Sequence, residues 1–297
     1  MSGPGGFADD AVPGGLGKVA IVGAGQVGTM LGIALTGADH EHGVAEVALF
    51  DRDADTARAS LDRRAGHRVA DDLRDALSAD IVVLAVPVDE IVALLESHGG
   101  DVRPGALVID TGSAKTAVVD AMRRTVPVEA HALGGHPMAG TATPGPSGAQ
   151  PDLLAGAPFV LTPVRDDPEA MRLGRALASA VGARPVAMAA DEHDRVIAWT
   201  SHLPHAMSFA LAAAVGRLPD SVDEVRSLIA GGYRGATRLA TGDPAMIAGF
   251  LGANAAEVGA AIDGLCAELS GLRDALPHRQ RLAEMLATGR AARGALA

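Results

Sequence analysis

The sequence predicts an α/β fold, a doubly wound parallel sheet followed by an all-α C-terminal domain. Three observations predict it. Short apolar runs alternate with helical stretches over residues 17–163, the order expected of a parallel sheet with crossover helices. The first apolar run breaks into glycines and then into a helical stretch. Beyond residue 163, helical spacing takes over almost completely. A chain of 297 residues has room for about two domains. The expected division is a tail at 1–16, a first domain at 17–163 and a helical domain at 164–297.

The elements follow in order. Residues 18–22 form an apolar run, and Val27, Met30, Leu31, Ala34 and Leu35 then mark one helix face. Residues 46–50 read as a second strand ending at Asp51, with a polar helical stretch to about residue 64. Residues 80–86 (DIVVLAV) are nearly all apolar, as a strand buried on both faces must be. Pro87 stops that strand, and 89–97 reads as helix. Residues 106–110 (ALVID) are a further buried strand, followed by Thr111-Gly112-Ser113 and a helix over 115–124. A late strand at 159–161 closes with Thr162-Pro163. Past it, 168–181 is helical, and 184–188 is a candidate last strand. Asp191 then reads as the N-cap of a long helix, with Asp194 completing a variant capping box. Val258, Ile262, Leu265, Leu269, Leu272 and Leu276 step by 4, 3, 4, 3 and 4. That narrow seam suits a helix packed against a core or a partner subunit.

Composition excludes several classes. The net charge is −11 with no basic block, which argues against nucleic acid. A single cysteine, Cys266, allows neither an internal disulfide nor a cysteine zinc site, and reads as buried apolar filler. Residues 1–16 are rich in Gly and Pro and lack the pattern of a signal peptide, so a disordered tail is expected. No apolar run reaches the ~20 residues of a membrane span. The expectation is a soluble, cytoplasmic protein with no membrane partner.

Gly23-Ala24-Gly25-Gln26-Val27-Gly28 is G-x-G-x-x-G, placed after a strand and opening a helix, the context that gives the motif meaning. Gly23 allows the tight turn, Gly25 lets a pyrophosphate approach, and Gly28 permits close helix–strand packing. The helix N-terminus at Gln26 and Val27 faces the phosphates. Asp51 ends the next strand 23 residues after Gly28, where a carboxylate takes the adenosine ribose hydroxyls. The first domain is therefore Rossmann-type and dinucleotide-binding, with Val86 and Pro87 assigned to the same cofactor site. The Asp51 carboxylate repels a 2′-phosphate, so NAD is favoured over NADP. Arg52 can stack on adenine or meet a 2′-phosphate.

The stretch Gly134-Gly135-His136-Pro137-Met138-Ala139-Gly140 sets a histidine among glycines. Glycines let a backbone approach a ligand closely, and proline stiffens the next residue. An imidazole held near a nicotinamide can take a proton as a hydride leaves. Ser113 follows a strand on the same sheet edge; it can hydrogen-bond His136 or cap the next helix. Lys115 lies two residues on and is assigned to substrate. His202 and His205 share a helix face and line the domain junction or sit as core histidines. As a metal pair they lack acidic ligands in register, and no metal is expected. Gly231 to Gly235, including Gly232, reads as a loop beside the substrate. Arg238 beyond it can clamp a carboxylate through two hydrogen bonds.

Together these segments resemble the prephenate/arogenate dehydrogenase family, the oxidoreductases of tyrosine biosynthesis. The carrying stretches are VAIVGAGQVG, DTGSAKT, GGHPMAGT, PFVLTP, DEHDRVIAWTSHLPH and ATRLATGDP, and the resemblance spans about residues 18–275. It implies that His136 is the catalytic histidine and Ser113 its orienting partner. It implies that His205 lines the substrate pocket and that Arg238 binds the substrate carboxylate. It also implies a homodimer through the helical domain, which suits the leucine seam. The implied reaction is the NAD-dependent oxidative decarboxylation of prephenate to 4-hydroxyphenylpyruvate. His136 draws off the 4-hydroxyl proton while hydride leaves C4 and the ring carboxylate departs as CO2.

The chain also departs from the family pattern. Ala142 and Pro144-Gly145 stand where a glutamate and a serine–glycine are common, and Ile247 stands where a tryptophan is common. Prephenate, arogenate and a 4-amino-4-deoxy analogue therefore stay open as the cyclohexadiene carboxylate substrate. Two other readings compete. A hydroxyacid dehydrogenase would use a lysine of the helical domain as base, yet no lysine occurs after Pro163. A nicotinamide-binding sensor without catalysis would have no use for His136, Ser113, His205 and Arg238 together.

Overall fold

The computed structural model describes residues 15–38, 42–141, 143–218 and 222–296. Among them, eight strands form one sheet in the order β3-β2-β1-β4-β5-β6-β7-β8. They are β1 (Gly17–Val22), β2 (Val44–Phe50), β3 (Arg68–Val69), β4 (Ile81–Leu84), β5 (Leu107–Asp110), β6 (His131–Pro137), β7 (Pro158–Pro163) and β8 (Arg184–Ala187). Every neighbouring pair is parallel except β6 and β7, which are antiparallel. Every residue of β4 and β5 is buried, which explains their uninterrupted apolar sequence.

Six helices among the described residues flank the sheet: α1 (Gln26–Gly37), α2 (Ala54–Asp62), α3 (Leu73–Leu77), α4 (Val88–His98), α5 (Thr116–Thr125) and α6 (Pro168–Ala180). Two apolar layers result. One packs α1 and α6 residues such as Met30, Leu35 and Leu177 on Ile21, Leu107 and Leu161. The other packs α4 and α5 residues such as Ile91, Val118 and Met122 on Val82, Leu84 and Val108.

After β8 come α7 (Ala190–Ile197), a π turn (Ala198–His202), α8 (Leu203–Val215), α9 (Val222–Leu228), α10 (Gly231–Ala236), a 3-10 turn (Arg238–Thr241), α11 (Pro244–Ala253), α12 (Ala255–Ala275) and α13 (Arg279–Ala295). Pro204 explains the π turn. It has no N–H to continue the α pattern and takes a first-turn position of α8. Asp243 starts α11, its carboxylate accepting from Ala245 N at 2.9 Å with Pro244 next to it. No single helix among the described residues is long and apolar enough to cross a membrane.

Several expectations need correction. The division after residue 163 falls inside the sheet, because α6 and β8 belong to it and the helical part begins at α7. Most of the 1–16 tail lies outside the described residues, but Leu16 is buried and its N–H donates to His42 O at 3.0 Å. β6 was not expected as a strand. Its sequence HALGGHP carries two central glycines, which weaken a strand pattern. Residues 231–235 form part of α10 and not a loop. Asp191 lies in the first turn of α7 and does not cap it. Cys266 is exposed. The seam on α12 is mixed: Val258 is buried, whereas Leu269 is 55% and Leu276 65% exposed in the single chain.

Candidate active site

The strand order reverses between β1 and β4, and a crevice opens there at the carboxyl ends of the strands. Gly23 sits at φ +103°, and a Cβ on it would strike the Ala85 carbonyl of the neighbouring crest. A Cβ on Gly28 would strike the Gly23 carbonyl, so α1 approaches β1 as closely as backbone allows. Gly25 faces open space, with nothing within 4 Å of where its Cβ would be. No side chain caps the N-terminus of α1. Open space over uncapped amides is what a diphosphate requires, so these residues fit a dinucleotide.

Asp51 ends β2 above this turn. Its carboxylate accepts from Ala24 N at 2.8 Å and from Asp53 N at 2.9 Å, so it holds the glycine turn itself. Arg52 reaches Glu90 in the first turn of α4 at 3.1 Å, bridging the crevice next to Val86 and Pro87. Gln26 directs its side chain elsewhere. It donates to Thr141 Oγ1 at 2.6 Å and to the Thr143 carbonyl, and accepts from Thr141 N at 2.9 Å. Only its backbone is left for a phosphate.

His136 lies within β6 and is 8% exposed. Its neighbouring glycines serve the sheet. A Cβ on Gly134 would strike Thr162, and one on Gly135 would strike the Asp110 backbone. His136 Nδ1 lies 2.9 Å from His193 Nε2, and His193 Nδ1 lies 2.8 Å from Asp194 Oδ1. Burial holds the His136 pKa well below 6.5, helped by His193, Lys115 and His202 and opposed by Asp194. The imidazole is therefore neutral at pH 7.

Asp194 accepts four hydrogen bonds across the junction of sheet and helices. The Lys115 and Thr116 amides donate at 2.7 and 2.8 Å, His193 donates, and the Asn254 side chain binds the Asp194 carbonyl at 2.8 Å. Asp194 thus caps α5 from α7, and does not complete a capping box on its own helix. Burial raises its pKa, but the hydrogen bonds from His193, Thr116 and Lys115 outweigh this and leave it at about 2.

Lys115 is fully buried. Its ammonium pairs with Asp110 and donates to Gly135 O at 2.8 Å, while Gly135 N donates to Asp110 Oδ1 at 3.0 Å. Burial pushes its pKa down against the opposing Asp110 charge. Lys115 therefore buttresses the residue before His136 and does not face a substrate, contrary to its assignment. Ser113 makes no hydrogen bond to His136 among the described contacts; His193 has that place. Ser113 does not cap α5 either, since Asp194 does. Its backbone lies against His202.

His202 is buried, stacks on Phe250 with centroids 4.9 Å apart, and has a pKa of about 4 because burial disfavours its charge. His205 meets the edge of the same ring at 5.2 Å. Phe250 so links His205 to the histidine cluster. Arg238 is exposed on the 3-10 turn, and no described hydrogen bond or ion pair joins it to the cluster. Gly232 is likewise exposed, on α10. Ser208 of α8 donates to Ala236 O at 3.0 Å and ties this region to the helix carrying His205. Among the described residues, no group of three or more histidine, cysteine or acidic side chains could hold a metal.

Known proteins place this arrangement. A family model described as "Prephenate dehydrogenase, nucleotide-binding domain" matches residues 36–187, and one described as "Prephenate dehydrogenase, dimerization domain" matches 189–288. The chain belongs to the prephenate dehydrogenase family. It is 32% identical to the cyclohexadienyl dehydrogenase of Zymomonas mobilis over 77% of this chain and 79% of that one. The structure of A. aeolicus prephenate dehydrogenase with hydroxyphenyl propionate and NAD+ superposes with a TM-score of 0.85 at 25% identity, covering 94% of this chain and 98% of that one. Synechocystis arogenate dehydrogenase gives 0.78 at 27% identity, covering 94% and 100%. As a prephenate dehydrogenase family member, the chain is a dehydrogenase with a nicotinamide cofactor. Sequence reasoning missed the roles of His193 and Asp194 in this family member. Their signal was the D-E-H-D run at 191–194, where a polar pair opens a helix beside the sheet.

Proposed function

We propose that the chain is an NAD-dependent prephenate dehydrogenase acting as a homodimer, with His136 as the base. The observation that carries this reading is a buried, neutral His136 whose Nδ1 is engaged by His193, which leaves Nε2 as the acceptor. His136 accepts the 4-hydroxyl proton as hydride leaves C4 and a ring carbonyl forms; loss of the ring carboxylate as CO2 then aromatises the ring to a phenolate, which takes the proton back from His136. The bound nicotinamide supplies the acceptor for the hydride from C4. Ser113, on the crest after β5, is assigned a hydrogen bond to the same hydroxyl. Arg238 and His205 meet the substrate at its far end, with Gly232 leaving room beside them. Asp51 supports NAD, because its carboxylate repels a 2′-phosphate, and Glu90 already neutralises Arg52.

The family relatives act on more than one cyclohexadiene carboxylate, and Pro144 and Ile247 replace residues expected around the substrate. Arogenate or 4-amino-4-deoxyprephenate is the second reading for that reason. Full-length protein with NAD+ or NADP+ and each of the three substrates in turn tests both. The expected result is reduction of NAD+ with prephenate and formation of 4-hydroxyphenylpyruvate. A preference for another substrate overturns the first reading. Cofactor binding with no turnover of any of the three would make the chain a sensor.

A further inference from the structure

A base that works in a buried place must take on a proton without a solvent shell to stabilise it. An isolated buried imidazolium is costly. Among the described residues, the only carboxylate linked by hydrogen bonds to His136 through another side chain is Asp194, by way of His193. Asp110, at the end of the neighbouring β5, is occupied by Lys115 and the Gly112 and Gly135 amides. The remaining titratable groups facing His136 are Lys115 and His202, and His205 adjoins His202, so none offsets a positive charge.

We propose that His193 and Asp194 are positioning residues that fix the tautomer of His136 and compensate the charge it acquires. This rests on the reading of His136 as the base. Asp194 is ionised and has only lone pairs to offer, so His193 Nδ1 carries a proton. With a single proton on His193, its Nε2 is a lone pair, and His136 Nδ1 donates to it at 2.9 Å. His136 Nε2 is left bare, which is the form that accepts a proton. When it does so, the positive charge sits one imidazole away from the Asp194 carboxylate. No bond other than the substrate O–H is broken by this device. The proton moves from the substrate oxygen to His136 Nε2, and the chain of hydrogen bonds behind it stays in place.

The test combines spectroscopy with kinetics on the full chain. Histidine-selective 15N NMR of the cofactor-free protein is expected to show His136 and His193 each protonated on Nδ1 and bare on Nε2. A bare His136 Nδ1 overturns the proposal. His193→Gln keeps an acceptor toward His136 and is expected to lose kcat on the order of tenfold. His193→Phe is expected to lose on the order of a hundredfold, within the range a general base contributes, with NAD+ affinity unchanged. Asp194→Asn is expected to move the acid limb of kcat/KM to lower pH, because the anion that favours the protonated base is gone. If His193→Phe retains wild-type kcat and pH profile, the proposal fails, whether or not the Asp194 variant folds. His136→Asn separates the two readings: a variant that keeps its rate sinks His136 as the base, whereas a dead one with intact His193→Phe sinks only the relay.

Discussion

The Gln26 side-chain amide closes on Thr141 from both sides, donating to its hydroxyl at 2.6 Å and accepting from its N–H at 2.9 Å. Gln26 is the first residue of α1, at the glycine turn, and Thr141 follows β6 by four residues. The nucleotide turn and the segment beyond His136 are therefore one unit. Gln26→Leu is expected to raise the substrate KM about fivefold, the effect of losing about 1 kcal/mol of hydrogen bonding. Steady-state kinetics with saturating cofactor checks this, and an unchanged KM removes the coupling.

Lys115→Met strands the Asp110 carboxylate in the core without its cation. Breaking a buried pair in this way costs about 3–5 kcal/mol. Urea unfolding should show that loss, and Asp110→Asn added to Lys115→Met should recover part of it. A single variant as stable as wild type would mean the pair carries no charge.

Acid should destabilise this fold early. His202 has a folded pKa of about 4 against 6.5 for the ordinary side chain, so the unfolded chain binds the extra proton first. Its contribution is fully present above 6.5 and is lost as pH falls from there toward 4, about 3 kcal/mol in all. Asp194, at about 2 against 3.8, adds a second loss below 3.8. Thermal unfolding at a series of pH values should show Tm falling below 6.5, with a shallower fall between 6.5 and 4 in His202→Asn.

Activity should resist acid further than an ordinary histidine would allow. A base must be unprotonated, and burial holds His136 well below 6.5. The profile of kcat/KM should stay level through 6.5 and bend only at lower pH. A bend at or above 6.5 would assign the limb to another group.

Leu269 and Leu276 stand exposed on one side of α12 and its end in the single chain. Leu269→Asp with Leu276→Asp is expected to convert a dimer into monomer in sedimentation velocity. Unaltered sedimentation would move the interface to another helix.

The sheet was legible because its strands obey a simple rule: buried on both faces, they are apolar throughout, as IVVL and LVID are. β6 was not legible, because Gly134 and Gly135 break its apolar pattern; they act as clearance for Thr162 and the Asp110 backbone. Among the candidate site residues, the glycine turn and the place of Asp51 beside it could be read from local pattern. Asp194 could not: a carboxylate that caps a helix 78 residues away in sequence has no local signature. Lys115 misled for a related reason. A lysine near a catalytic strand suggests a substrate contact, and only the fold reveals that it is walled in.

Neither α10 nor the 3-10 turn carrying Arg238 buries a residue, whereas every residue from Ala132 to Pro137 is buried. Mutations on the two sides of the crevice thus meet very different tolerance. On the proposed reading, changes that alter which acid is recognised can accumulate on the outer helices at little cost to folding, while changes in β6 disturb the buried sheet. A lineage built this way can wander among related substrates without giving up its reaction.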